Sequence, residues 1–377
     1  MRGGGSSSGL LVIDSSTGQV VCQRAASTQR PLASNMKLFT TSTALSKLGP
    51  EYRIPTKVLS SGTLDSKGVL HGSLYLQGGG DPTLGTPAFY NHFLGGLGTN
   101  LLALTPQIRA AGIRSITGRL YADDTIFDRL RGVADSGYAT SSYIGPLSGL
   151  SFDSGYSSAA ADSFAADPAK VAATTLAASL RGAGVGIPPK VALEAAPAES
   201  KTIAVVRSPS LDRIVNETDV ESDNFFAETL IKLLGARFGG AGTTAAGAAV
   251  VSLFARQHSS GVHAVDGSGL THTNRASPLQ VVSLLQSMRN TEVGDDFIQD
   301  LALAGREGTV AERMHGTAAE GRCRTKTGTL TGVSNLSGYC FNSDGKQMVF
   351  SILMGGVGDL SLAHAEQDLI AGAIAAY

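Results

Sequence analysis

The apolar positions change period several times along the chain, and each change marks an element. In "LLVIDSSTGQVVC" (10–22) two short β-favouring runs flank a Ser-Thr-Gly turn, which predicts a hairpin. From Ser34 onward, Met36, Leu38, Phe39, Ala44, Leu45 and Leu48 recur at helical spacing. Gly49-Pro50 stops that helix, and Ser34 stands where an N-cap or first-turn residue would sit. Between about 57 and 200 the pattern breaks into short runs such as "GSLYLQG" and "GRLYADD", separated by Gly-, Ser-, Pro- and Ala-rich connectors. This reads as a strand- and loop-rich insertion with one helix, from Pro168 to about Leu180, ended by Gly182. Helices return at 224–238, 243–257, 278–288 and 363–376, and "GRCRTKTGTLTGVSNLSGYCFNSDGKQMVFSILMGG" (321–356) predicts three strands in meander. Strands near both ends with helices between them predict an α/β (α+β) core, an antiparallel sheet flanked by helices, interrupted by a mainly-β insertion. The expected domains are therefore a core first segment at 1–56, the insertion at 57–200 and a core second segment at 201–377.

Bulk composition narrows the function classes. A chain of 377 residues is long enough for two domains, and 42% hydrophobic against 16% charged residues reads as globular. Formal net charge is -1 with no run of five or six like charges, so no nucleic acid or anionic membrane is expected as a partner. The longest apolar runs are far too short for a transmembrane segment. "MRGGGSSSG" (1–9) lacks an apolar stretch and is expected to be a linker rather than a complete signal peptide. The seven histidines are scattered and no CxxC occurs, so neither a metal nor a cofactor is expected.

Three short motifs carry candidate chemistry: "SNMK" (Ser34–Lys37), "SDN" (Ser222–Asn224) and "KTG" (Lys326–Gly328). Residues three apart share a helix face, so Lys37 would lie within reach of the Ser34 hydroxyl. A serine is a weak nucleophile until a base takes its proton, and a lysine serves as that base only if burial or a second cation, here Lys326, lowers its pKa. Ser222 could relay a proton to a leaving amine and Asn224 could hold a substrate amide. Lys326 and Thr327 suit a substrate carboxylate, and Gly328 would leave room for a substrate backbone along the strand edge. The backbone N–H groups of Ser34 and Thr329 would face a developing oxyanion. Taken singly the motifs prove little. "SDGK" (Ser343–Lys346) has the same spacing as "SNMK" and reads as a hairpin turn. Order is what carries the signal, with an apolar helix after each of the first two motifs and a strand through the third. Asp223 and Asp266 read as cap and turn residues, His263 and His272 as surface histidines, and "GGGDP" (78–82) as a turn.

The trio occurs in β-lactamases and penicillin-binding proteins. With "RPLASNMKLFTTSTAL", "LQGGGDPTL", "YIGPLSGLSFD", "ESDNFFAETL", "VDGSGLTHTNRASP", "LALAGREGTVAERM" and "RTKTGTLTGVSNLSGY" in the same order, the chain resembles the class C low-molecular-mass penicillin-binding proteins, the D-alanyl-D-alanine carboxypeptidase/endopeptidase family. The resemblance implies a transpeptidase-like core with an insertion between the first two motifs. It further implies Ser34 as acylated nucleophile, Lys37 as base, Ser222 as relay, Asn224 as amide holder, Lys326 and Thr327 as carboxylate site, and peptidoglycan stem peptides as substrate with β-lactam antibiotics as covalent inhibitors. A serine β-lactamase and a catalytically silent cell-wall binding protein are the competing readings. The first lacks a recognisable Glu-bearing deacylation loop and the second is disfavoured by the intact motif residues.

If "RCRTKTGTL" and "NLSGYCF" pair as a hairpin with its loop at Leu330–Val333, the register sets Cys323 opposite Cys340, within disulfide range, and leaves Cys22 free. Such a bridge suits an extracytoplasmic protein of the periplasm or cell wall, whose signal or anchor segment is expected to be missing from this chain.

Overall fold

In the computed structural model, which describes residues 7–377, the chain divides into two compact units. One comprises 1–51, 212–239 and 244–377, and the other 52–211 with 240–243.

The first unit is built on a six-stranded antiparallel sheet ordered Ala302–Leu303, Cys323–Leu330, Val333–Phe341, Gln347–Gly355, Ser7–Asp14 and Val20–Arg24. The expected hairpin and meander are both present, and the sheet recruits both ends of the described chain. Ser7–Gly9, expected as linker, begin the first strand, where Ser7 faces Gly355 and Gly9 faces Leu353; the rest of that expected linker, 1–6, lies outside the described residues. Alternation sorts the central strand. Met348, Phe350, Ile352 and Met354 join the core with Ala363, Ala371 and Ile374 of the helix Leu360–Ala376. On the opposite face the buried Tyr339 hydroxyl donates to the Leu285 carbonyl of the helix Pro278–Met288 at 2.7 Å. That helix starts on a capping box, Ser277 to the Gln280 N–H and the Gln280 side chain back to the Ser277 N–H.

The second unit has its own core. Its five-stranded sheet is ordered Ala192–Leu193, Leu120–Asp123, Leu74–Gln77, Pro55–Ser60 and Lys201–Arg207. The helix Pro168–Gly182 buries Ala169, Ala172, Ala173, Leu176 and Leu180 against Leu74, Leu76, Leu101, Leu104 and Ile108. Lys201–Arg207 pairs antiparallel with Pro55–Ser60, so both strands belong to this unit, whose edges fall at 52 and 211 where 57 and 200 were expected. Two short helices, Pro87–Phe93 and Leu104–Ala110, go beyond the expected strands and loops, and make the unit mixed rather than mainly β. "GGGDP" is a packing turn: a side chain on Gly78 or Gly79 would overlap the carbonyls of Gly149 or Pro55.

Candidate active site

The turn that carries Ser34 comes first. Ala33–Asn35 form one turn of 3₁₀ helix that runs into the α-helix Met36–Leu48. Ser34 therefore sits in the turn before the helix, whose N-cap position is Asn35, and not at the cap itself. Ala33 holds φ +45°, a left-handed conformation unusual for alanine, and three neighbours fix it there. Asn335 donates to the carbonyls of Pro31 (3.0 Å) and Leu32 (2.7 Å), Asn35 donates to the Lys326 carbonyl (2.9 Å), and Ser337 donates to the Asn35 side-chain oxygen (2.8 Å). The turn is thereby stitched to the Lys-Thr-Gly strand.

Lys37, one helical turn on, is fully buried. Its Nζ lies 3.1 Å from Ser34 Oγ, 2.7 Å from Asn224 Oδ1 and 2.9 Å from the Ser268 carbonyl. Burial lowers its pKa to about 8, against the fields of Asp223, Asp219, Glu228 and Asp266, which raise it. Lys326 is also fully buried, and its pKa is lowered first by burial and then by the Lys37 cation. Burial is the first cause at both lysines, and the repulsion between them, which each feels equally, disfavours charging both at once.

The "SDN" motif arrives on the opening of the helix Asn224–Phe238. Asp223 is its N-cap, accepting from the Phe226 N–H at 2.9 Å. Ser222, at φ +63°, makes the turn into it, and its hydroxyl is hydrogen-bonded to neither lysine among the described residues. Asn224 Oδ1 is engaged with Lys37, so this residue holds the lysine as well as being the expected amide holder.

The Lys-Thr-Gly strand Cys323–Leu330 is paired along one edge with Val333–Phe341, and on the other only Arg324 and Thr325 are paired, by Leu303 and Ala302. From Lys326 onward no strand covers that edge among the described residues, which leaves a place where an extended peptide can add. Thr327 Oγ1 donates to Thr309 Oγ1 at 2.8 Å, and Thr329 is exposed. Gly328 is also approached closely from within the protein. A Cβ there would stand 2.9 Å from the Leu32 carbonyl and 3.1 Å from the backbone nitrogens of Ser34 and Asn35. The missing side chain makes room for the turn that carries Ser34. Cys323 and Cys340, directly opposed in the register, are joined by a disulfide, and Cys22 is free and exposed.

Three residues outside the motifs belong to the same neighbourhood: Ser268, Glu228 and Thr309. Glu228 had a legible signal, since it follows Asn224 by four residues in an otherwise apolar run and so shares its helix face. The other two had none, because a backbone carbonyl and an exposed threonine look ordinary in sequence. Asp266 is a turn residue as expected, accepting from the N–H groups of Gly269 (2.7 Å) and Thr271 (2.9 Å). His272 is exposed beside the strand, with a ring nitrogen 3.1 Å from the Thr331 carbonyl. No group of three or more His, Cys, Asp or Glu side chains is arranged to hold a metal among the described residues.

A hydroxyl beside a buried, deprotonatable lysine, at the end of an open strand edge, defines an active-serine hydrolase. Comparison with known proteins gives the particular group. The model of the D-Ala-D-Ala carboxypeptidase 3 (S13) family matches residues 3–166 and 162–376, and the chain belongs to that family. It is 31% identical, over 99% of its length and 82% of the relative's, to a D-alanyl-D-alanine carboxypeptidase of Actinomadura sp. (strain R39). Its fold resembles that of penicillin binding protein 4 (dacB) from Haemophilus influenzae, with a TM-score of 0.80 at 20% identity over 98% of this chain and 97% of that one. A penicillin G-acylated predatory endopeptidase, Bd3459 from Bdellovibrio bacteriovorus, aligns with a TM-score of 0.55 at 21% identity over 97% of this chain and 90% of that one.

Proposed function

We propose that this chain is a serine DD-peptidase that hydrolyses D-alanyl-D-alanine termini of peptidoglycan stem peptides, as a carboxypeptidase, and their cross-links, as an endopeptidase. The observation that carries the reading is the buried Lys37 amine 3.1 Å from the Ser34 hydroxyl. Lys37 takes the proton as Ser34 Oγ attacks the carbonyl of the penultimate D-alanine, and the N–H groups of Ser34 and Thr329 receive the oxyanion. Lys326 and Thr327 hold the terminal carboxylate. Ser222 passes the proton to the departing amine, and water then resolves the ester on Ser34. For that relay the Ser222 hydroxyl must come within hydrogen-bond distance of a lysine amine, and no such bond is present among the described residues.

Penicillin, whose ring amide and carboxylate imitate this substrate, acylates the same hydroxyl; the penicillin-acylated relative of the same fold supports this part. The unit at 52–211 is the family insertion, lying in sequence between the first and second motifs. Action on peptidoglycan requires an extracytoplasmic location, and the Cys323–Cys340 bridge suits one. Among the described residues no helix is long and apolar enough to cross a membrane.

Incubation with fluorescent penicillin, followed by intact mass and peptide mapping, tests the reading. One stable adduct on Ser34 is expected, and none in Ser34→Ala. Labelling that survives Ser34→Ala removes the assignment, and rapid turnover of a chromogenic cephalosporin by the wild type would make the chain a β-lactamase instead.

A further inference from the structure

We propose that Glu228 is a positioning residue for the Lys37 base, acting through the Gly267–Ser268 turn to aim the amine's lone pair at Ser34. The inference rests on the reading of Lys37 as the base and adds what orients it.

A neutral lysine amine has two N–H bonds and one lone pair, whereas three atoms surround Nζ: Ser34 Oγ, Asn224 Oδ1 and the Ser268 carbonyl. Both carbonyl-type oxygens can only accept. Each therefore takes one N–H, and the lone pair has a single direction left, toward the Ser34 hydroxyl. Remove either acceptor and rotation about the Cε–Nζ bond becomes free to turn an N–H toward Ser34, where it cannot take a proton. Asn224 is the side-chain half of this arrangement, and the Ser268 carbonyl is the backbone half.

The carbonyl stays on target because its turn is held from three sides. Glu228 Oε1 accepts from the N–H groups of Gly267 at 2.9 Å and Ser268 at 2.7 Å. Thr40, on the nucleophile helix, donates to the Gly267 carbonyl at 2.9 Å. At Gly269, φ +89°, a side chain would overlap the Ala33 carbonyl, so the turn lies directly against the nucleophile turn. Glu228 is fully buried and its Oε2 has no hydrogen-bond partner among the described residues. Burial and the neighbouring Asp266 raise its pKa, so the carboxyl favours its neutral form. A glutamine in its place keeps the accepting oxygen and puts an amide where Oε2 already lacks a partner. A leucine keeps the volume and loses the acceptor.

The test measures acylation by fluorescent penicillin in the full chain, separating the saturation constant from the limiting rate, across pH. Glu228→Gln is expected to acylate within about threefold of the wild type, and Glu228→Leu to lose about tenfold in the limiting rate with the saturation constant unchanged, the size of one lost hydrogen bond. The groups that set the charge state of Lys37 are Asp219, Asp223, Asp266, Glu228 and Lys326. A positioning role lowers the plateau of the pH profile and leaves its midpoint in place. A purely electrostatic role would shift the midpoint and spare the plateau, which overturns the proposal. Equal losses in Glu228→Gln and Glu228→Leu overturn it too, as does wild-type acylation by Glu228→Leu. Should the leucine variant fail to unfold cooperatively, Thr40→Val carries the test through the other support of the same turn. A several-fold loss of limiting rate is expected there, and an unchanged rate overturns the proposal. Lys37→Ala separates the two readings. If it acylates normally, the base assignment fails; if it is inert while Glu228→Leu is normal, only the positioning role fails.

Discussion

Lys37 and Gly328 show how much of a residue's part can be read from its neighbours in sequence. The three-residue step from Ser34 to Lys37 is a helix property, so their contact was legible as soon as the helix was. The lysine's environment was not, because its four neighbouring carboxylates come from distant segments and Asn224 is 187 positions away. Gly328 was legible as a glycine in a strand that something must approach closely, but sequence could not say what. One neighbour is the protein's own turn at 32–35, and this fixes an expectation for substitution. Gly328→Ala brings a methyl group to 2.9 Å from the Leu32 carbonyl. Backbone there has nowhere to move, since Asn335 and Asn35 clamp it, so the turn should shift as a whole. Stability should fall by about 1–3 kcal/mol, the usual cost of overpacking. Acylation should fall far more, by about a hundredfold, because a displacement of the order of an ångström at a reacting atom costs about that much. Chemical denaturation beside penicillin labelling checks the pair, and a variant with full labelling would show that the turn tolerates displacement.

At the scale of elements, the longest periodic segments were legible almost to the residue. The helices Pro278–Met288 and Asn224–Phe238 stand where their apolar spacing and caps put them. The helix Leu211–Val220 has no counterpart among the expected elements although Leu211, Ile214 and Val215 stand at helical spacing and are buried, because "LDRIVNETDV" is short and its polar positions outnumber its apolar ones. Lys201–Arg207 was assigned to the wrong unit for a related reason, since a strand's partner lies outside its own sequence. The hairpin that carries Lys326 is the opposite case. Its two-residue loop fixes the register, and the register alone sets Cys323 against Cys340. The bridge closes a span of 17 residues around the Lys-Thr-Gly motif. Replacing both cysteines by serine is expected to cost about 3 kcal/mol by the loop-entropy account. Penicillin labelling of the folded variant should change little, because the bridge lies at the end of the strand away from Thr329. Thermal unfolding with labelling at a temperature well below the transition would show both, and loss of labelling in a still-folded variant would mean that the bridge shapes the site itself.

The whole molecule carries its charge unusually. Several carboxyl groups in the first unit are buried or half-buried, and desolvation raises their pKa values, the buried Asp300 to about 8 and the half-buried Glu217 to about 7. Neighbouring acids push Asp300 in the same direction, Asp219 and Asp212 foremost. A carboxyl that holds its proton more tightly when folded contributes stability below its unfolded pKa and loses it as pH rises through the folded value. For Asp300 that window runs from the usual aspartate range up to about 8. The two buried lysines act in the opposite sense at higher pH, since their lowered pKa values favour the folded state as they lose protons. Asp300→Asn therefore isolates the acid's share: its melting temperature should equal the wild type's at acidic pH and exceed it at pH near 8. Coinciding curves across that window would mean that Asp300 is ionised in the folded protein without cost. Sequence showed none of this, because the acids are scattered from 212 to 300 and only the fold collects them. The fold itself was legible at this scale through β-patterned runs near both ends of the sequence, which, with helices between them, suit one shared sheet. That arrangement has a consequence in time. The strand Ser7–Asp14 must wait for Gln347–Gly355 to pair with it, and Asn35, next to Ser34, bonds to a strand residue 291 positions later. The site therefore rests on contacts of long sequence separation, and it closes only when these distant segments have paired.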